Sequence, residues 1–330
     1  MATYRKRGNS WRAEIVRSGI RTSKTFKTKA EAVAWATVEE SKIVSGESLA
    51  FSDRSLRDAM QRYHDYVSPT KRGVHWEQLR LKAFMRDLPF IDKAIHKVLP
   101  QDIASWRDER LQSVAGSTIR REANLISSVF TLAIKEWRWC KDNPVSMVIM
   151  PKEPRPRDRR ITPDEEAAIL LQLQYEPWQQ PTLLIHELAL LFLLALETAM
   201  RLGEMISLEW QHVHLDQRYV HLTLTKNGNA RDVPLSSKAV KILQLMREKN
   251  GNNRQVFTLG GESASSLFRK YRRQADIHDL RFHDTRHEAT TRLSQKLGML
   301  ELARVTGHRD PRMLMVYYNE TAVELACKLD

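Results

Sequence analysis

The chain has 330 residues, 42% hydrophobic and 28% charged, a composition that excludes a disordered polypeptide and gives more residues than one ordinary core needs. Its net charge of +13 points to a polyanionic partner, a condition that RNA, DNA and acidic membranes all meet. Cys140 and Cys327 form no CxxC pair and the most apolar run, Leu188 to Leu196, falls well short of the roughly 20 residues of a membrane helix, so a disulfide framework, a cysteine zinc site and a membrane span are not indicated and a cytoplasmic location is expected.

The first 29 residues carry nine Lys or Arg against one acid, Glu14. Trp11, Ala13 and Ile15 alternate as in a strand, Ser18-Gly19 reads as a turn, a second strand ends at Phe26, and residues 3 to 7 are placed to add a third. Arg5 and Lys6 open no apolar stretch, so no secretory signal is expected. Thr28 with Glu31 three positions on forms a capping box, which starts a helix through Ala30, Val33, Ala34 and Val38. Residues 1–50 therefore read as a small basic module of sheet plus helix. Its candidate contacts to the polyanion are Arg5, Lys6, Arg7, Arg12, Lys24 and Lys27.

Residues 51–150 turn helical. Leu56, Met60, Tyr63 and Val67 lie at helix spacing, Trp76, Leu79 and Phe84 mark a second helix, and Ile103, Trp106 and Leu111 a third. Ile119, Ile126, Val129, Phe130, Ala133 and Trp137 mark a longer one with Ser117 before it. Four such helices close a small bundle. Residues 151–160, PKEPRPRDRR, then combine three prolines with five cations, a stiff basic linker whose Arg155, Arg157, Arg159 and Arg160 are held in solvent or against phosphate.

The last module, residues 161–330, opens with Thr162 as cap, Pro163 at the first helical position and Glu165 behind it. Leu188 to Leu196 reads as a buried helix. Tyr219 to Thr225 and Arg231 to Leu235 flank Asn227-Gly228, a strong hairpin signal with Lys226 at its shoulder. The expected fold class is mainly α with small β elements (α+β): a small N-terminal sheet plus helix, a helical bundle, and a mostly helical domain with a β-hairpin. No internal repeat or glycine-rich phosphate loop is present, which argues against an ATP-driven enzyme.

Several residues of this module bear chemistry. Arg201 follows the apolar helix and precedes Glu204, so it reads either as a surface ion pair or as a phosphate clamp that Glu204 holds in place. His283 and Arg286 are three apart at a helix start and project from one face, with His287 in the same arc. His283 and His287 at i and i+4 also fit zinc, but no HExxH or nearby cysteine accompanies them and Arg286 would repel a cation. Lys226 reads as a solvated turn lysine or as a proton donor whose pKa neighbouring Arg201 and Arg286 would depress. Tyr317 and Tyr318 are adjacent, and a phenol with pKa near 10 needs a base or a cationic field to act as a nucleophile.

Together, Arg201 in ETAMRLGE, Lys226 in TKNGNARDVPL, His283 and Arg286 in HDTRH, His308 in TGH and Tyr317 nine positions later resemble the tyrosine recombinases, the phage-integrase family. The motifs stand in the family's order and the resemblance covers roughly residues 158 to 320. It implies Tyr317, not Tyr318, as nucleophile. Val316 stands where the family often has arginine, and Asn319 where it often has histidine.

The implied reaction is cutting and rejoining of DNA through a 3′-phosphotyrosyl intermediate, with no cofactor and no metal. Arg201, Arg286 and His308 would hold the nonbridging oxygens, Lys226 would be the general acid and His283 would assist proton removal. Residues 51–150 resemble a core-binding domain and residues 1–50 an arm-site module. The implied partners are double-stranded DNA at core and arm sites, three further copies in a homotetramer, a directionality factor and a host DNA-bending protein, in a nucleoid-associated location. An integrase is the leading reading. An invertase or resolvase of the same family, a type IB topoisomerase, a metal-dependent nuclease and a non-catalytic DNA-binding protein are the alternatives.

Overall fold

The computed structural model describes residues 2–17, 20–44, 53–71, 73–154, 157–223 and 230–318. The chain forms two compact units that divide between residues 155 and 156. Among the described residues, no helix is long and apolar enough to cross a membrane.

The first unit begins with the expected antiparallel sheet of β1 (Ala2–Arg7), β2 (Ser10–Arg17) and β3 (Ile20–Phe26), with β2 central. Helix α1 (Lys29–Val44) packs on it, and the Thr28–Glu31 capping box forms in both directions. The buried row differs from the expected one. Ala32 and Ala36, one turn apart, face the sheet with Ile43, whereas Val33 and Val38 are 39% and 55% exposed. Alanine lets the helix lie close to Ala13 and Ile15, and the rings of Trp11, Phe26 and Trp35 fill the margins.

A second apolar core belongs to α2 (Leu56–Tyr66), α3 (Val74–Asp87), α4 (Pro100–Leu111) and α5 (Gly116–Lys135). Ser55 and Asp58 cap α2 reciprocally. Ser117, expected ahead of the longest helix, lies inside it, and Trp137 lies beyond its end. In α3, Leu81 and Phe84 are buried while Trp76 and Leu79 face outward. Glu122, fully buried on α5, is held by Arg80 at 3.0 Å and by Arg110 at 3.1 Å, the pairing that a buried carboxylate requires.

The second unit is built around α7 (Leu184–Thr198), apolar on nearly every side. Helices α9 (Ser237–Asn250), α10 (Gly261–Gln274) and α11 (Asp284–Ser294) pack around it, after α6 (Pro163–Gln172), whose Thr162 cap and Glu165 form the expected box. Strand β5 (Tyr219–Leu222) pairs with β6 (Arg231–Pro234) in antiparallel register out to Leu222 opposite Arg231. The expected Asn227-Gly228 turn lies outside the described residues. The sequence reading missed β4 (Val213–His214), which adds a third strand beside β5. The unit also holds α8 (Leu202–Ile206) after α7, and α12 (Met299–Thr306) followed by a 3-10 segment over Pro311–Tyr317.

Candidate active site

Of the expected site residues, Arg201, Arg286 and His308 lie where helix ends of the second unit meet. Helix α7 stops at Ala199, which takes the left-handed conformation at φ 53° and turns the chain sharply. Two residues on, Arg201 caps α8. Its backbone N–H donates to Glu204 Oε2 at 2.9 Å and its Nη1 to Oε1 at 2.8 Å. Glu204 therefore holds Arg201 in place, as the sequence suggested.

Arg286, on the first turn of α11, is 6% exposed. It donates from Nη1 to the Ala199 carbonyl at 2.7 Å and from Nη2 to the Thr306 carbonyl at 2.6 Å. These are the carbonyl ends of α7 and α12, where the helix dipole is negative and favours a cation. Among the described residues, no carboxylate forms an ion pair with Arg286. Burial, and then Arg201, push its pKa down to about 10, so it stays charged at neutral pH.

His308 follows Gly307, the left-handed C-cap of α12. The Thr306 hydroxyl donates to the Leu302 carbonyl at 2.6 Å, so its oxygen accepts from His308 Nδ1 at 2.6 Å. That network fixes the tautomer and leaves Nε2 as the unprotonated nitrogen. Burial, and then the charges of Arg286, Arg201 and Arg231, push the imidazole down to about 4. His308 is therefore neutral at pH 7 until an anion enters.

Tyr317 ends the 3-10 segment and packs half-buried against Leu302, Ala303 and Leu314. Burial raises its phenol pKa, Arg286 pulls it back without prevailing, and Asp158 adds to the rise. The cationic field expected to ionise the phenol is thus outweighed by burial, and the phenol is protonated. Its neighbour is committed elsewhere: the Tyr318 hydroxyl donates to the Leu297 carbonyl at 2.7 Å.

The imidazole ring of His287 lies beside Tyr317, with ring centroids 5.1 Å apart. His287 Nε2 lies 3.4 Å from Asp158 Oδ1, and its Nδ1 is buried with no hydrogen-bond partner among the described residues. His283 is exposed and lines a neighbouring cavity of about 370 Å³ with Phe282, Arg269, Arg272 and Arg281. It precedes α11 while Arg286 turns into the core, so the common face expected from their spacing is split between surface and interior. Lys226 lies outside the described residues. Among the described residues, no group of three or more His, Cys, Asp or Glu is arranged to hold a metal ion.

Sequence reasoning missed Arg231. Strand alternation puts it on the same face as buried Val233, and its side chain, 8% exposed, donates to Glu204 Oε1 at 3.1 Å and Oε2 at 2.7 Å. The signal was present as an arginine at an inward strand position. Three guanidiniums against one carboxylate leave the cluster net positive, a setting that stabilises a phosphate and the extra charge of its transition state.

The linker arginines are engaged within the second unit. Arg157 pairs with Asp284 at 3.0 Å and Asp279 at 2.9 Å, Arg159 with Glu165, and Arg160 with Glu288 at 2.6 Å. Their expected use against phosphate competes with these pairs, and Arg155 lies outside the described residues. In the N-terminal sheet, alternation divides the candidate cations. Arg5, Arg7 and Arg12 face away from α1, with Arg5 directly opposite Arg12, whereas Lys6 and Lys24 share the side of buried Ala13 and Ile15. Lys27 is exposed just after β3.

Comparison with known proteins bears on the family and the fold. Residues 159–324 match the phage integrase family. A Haemophilus influenzae protein classed as an integrase/recombinase is 36% identical over 297 residues, covering 90% of this chain and 97% of that one. A shufflon-specific DNA recombinase of Escherichia coli is 37% identical over 286 residues, 84% of this chain and 72% of that one. The fold is shared with a lambda integrase tetramer bound to a Holliday junction, at a TM-score of 0.67 and 17% identity over 96% of each chain. The chain belongs to the phage integrase family, the tyrosine-type site-specific recombinases.

Proposed function

We propose that Tyr317 is the nucleophile of a DNA strand-transfer reaction. Its phenol oxygen attacks a backbone phosphorus, the P–O5′ bond breaks, and the product is a 3′-phosphotyrosyl link with a free 5′-hydroxyl. The phenol proton passes to a base, for which His283 and the adjacent His287 are the candidates, and Lys226 protonates the leaving oxygen. Arg201 and Arg286 hold the nonbridging oxygens, and His308 joins them after the charge of the entering phosphate raises its pKa and Nε2 takes up a proton. The 5′-hydroxyl of a partner strand then attacks the link and releases Tyr317, so bond energy is conserved and no nucleotide is consumed. The observation that carries this reading is the Tyr317 ring lying 5.1 Å from that of His287, next to Arg286 on α11, while the Tyr318 hydroxyl is taken by a backbone carbonyl.

Residues 51–150 are proposed to clamp the duplex at the core site and residues 1–50 to read arm sites. Arg5, Arg7 and Arg12 on the open face of the sheet suit a groove lined by phosphates. A homotetramer on DNA is proposed from the fold shared with the tetrameric lambda integrase, and a directionality factor and a DNA-bending protein complete the proposed assembly. Integration and excision of a mobile element is the reading favoured by the N-terminal module. Inversion is the second, favoured by the 37% identity with the shufflon recombinase. The test is cleavage of a nicked duplex carrying the element's junction in the presence of excess EDTA. Protein-linked DNA with a 5′ end that polynucleotide kinase labels directly supports the chemistry, and loss of cleavage with the chelator contradicts it.

A further inference from the structure

We propose that Arg231 is a positioning residue for strand cleavage, the member that locks Arg201 and the Gly307-His308 turn into one frame. The inference rests on the proposed reading of Arg201 and His308 as phosphate-holding groups. Arg231 opens β6, on the inward side of the strand. Its fork grips both oxygens of Glu204, at 3.1 and 2.7 Å, and Glu204 in turn holds Arg201 through Nη1 and the backbone N–H. From its third side, Nε donates to the Val305 carbonyl at 3.0 Å. One guanidinium thus ties the carboxylate that sets Arg201 to the last turn of α12, which delivers His308.

The contact with the turn is close. A Cβ added to Gly307 would lie 3.1 Å from Arg231 Nη1 and 3.2 Å from its Cδ and Cζ, and Gly307 has φ +73°. The glycine of the Gly-His motif is therefore required twice, by its backbone conformation and by the guanidinium against it. Lysine cannot replace Arg231 in this frame. It keeps the charge that Glu204 needs, but a single ammonium cannot bridge both carboxylate oxygens and a carbonyl in one plane. Arg201 would keep its Glu204 bond yet lose the fixed orientation of its partner.

The test compares Arg231→Lys and Arg231→Gln with the wild type in single-turnover formation of the covalent adduct. Two nicked duplexes carrying the element's junction are used, one with a normal scissile phosphate and one with a neutral methylphosphonate there. At protein concentrations that saturate the normal duplex, both variants are expected to form adduct about a hundredfold more slowly, the scale of a misplaced reacting group. On the methylphosphonate, where no anionic oxygen pair awaits an oriented arginine, that deficit is expected to shrink toward parity. Wild-type rates on the phosphate overturn the inference, as does an equal deficit on both substrates. Failure of both variants to fold also overturns it, since Arg231 would then serve the fold alone. Adduct formation by Tyr317→Phe in the same assay would instead remove the reading on which the inference rests.

Discussion

Arg286 donates to the backbone carbonyl of Thr306 at 2.6 Å, and the hydroxyl of the same threonine fixes the tautomer of His308. One residue thus sets two of the proposed phosphate-holding groups, one through its main chain and one through its side chain. Thr306 is fully buried, and Thr306→Val keeps its shape and its carbonyl while removing the hydroxyl. Adduct formation is expected to fall about fivefold, the equivalent of one net hydrogen bond of about 1 kcal/mol, with DNA affinity unchanged. Thr306→Ser should restore most of the rate. A valine variant that cleaves at the wild-type rate would show that the tautomer is immaterial.

Acid should weaken the second unit in two stages. His308 is depressed to about 4, by burial first and then by three arginines, so between its ordinary 6.5 and 4 the folded state binds fewer protons than the unfolded one. Stability present above pH 6.5 is therefore lost as the pH falls through that window. Burial raises Glu204, but the hydrogen bonds from Arg231 and Arg201 prevail and hold its carboxyl at about 2, which gives a second loss between about 4.5 and 2. Urea unfolding at a series of pH values should show the upper stage, and His308→Gln should flatten it. Titration of the His308 ring by NMR near 6.5 in the DNA-free protein would contradict the electrostatic picture.

The open face of the N-terminal sheet should govern the salt dependence of arm binding. Arg5 and Arg12 are cross-strand neighbours, an arrangement of like charges that destabilises a sheet by itself. A polyanion relieves that repulsion. Replacing Arg5, Arg7 or Arg12 by Gln should lower the slope of log affinity against log salt by about 0.9 for each phosphate contact removed, whereas Lys6→Gln and Lys24→Gln should leave it nearly unchanged. The reverse ranking would place DNA on the helix side of the sheet.

The element boundaries that were legible in the sequence are those fixed locally. The Thr28–Glu31 and Thr162–Glu165 boxes start helices where side chain and backbone alone require it, and Leu188 to Leu196 is apolar enough to be the centre of any fold. The faces of weaker helices were not legible. Which of Ala32 or Val33 turns inward on α1, and which of Leu79 or Leu81 on α3, is decided by the surface each helix meets and not by its own periodicity.

The same division holds at the site. Arg201, Arg286 and His308 stand out by motif and do converge, but what links them is tertiary: the Ala199 and Thr306 carbonyls, the Thr306 hydroxyl and Arg231. The ring contact between Tyr317 and His287 is also tertiary, made where the 3-10 segment after α12 packs on α11. No spacing rule within one helix carries that information.

In the proposed reaction a single phenol, at position 317, becomes joined to DNA. The most direct measurement of this is denaturing electrophoresis of the protein after incubation with a labelled nicked duplex carrying the element's junction, for the wild type, Tyr317→Phe and Tyr318→Phe. A labelled protein band is expected for the wild type and for Tyr318→Phe and none for Tyr317→Phe. A band that persists in Tyr317→Phe and vanishes in Tyr318→Phe would contradict it.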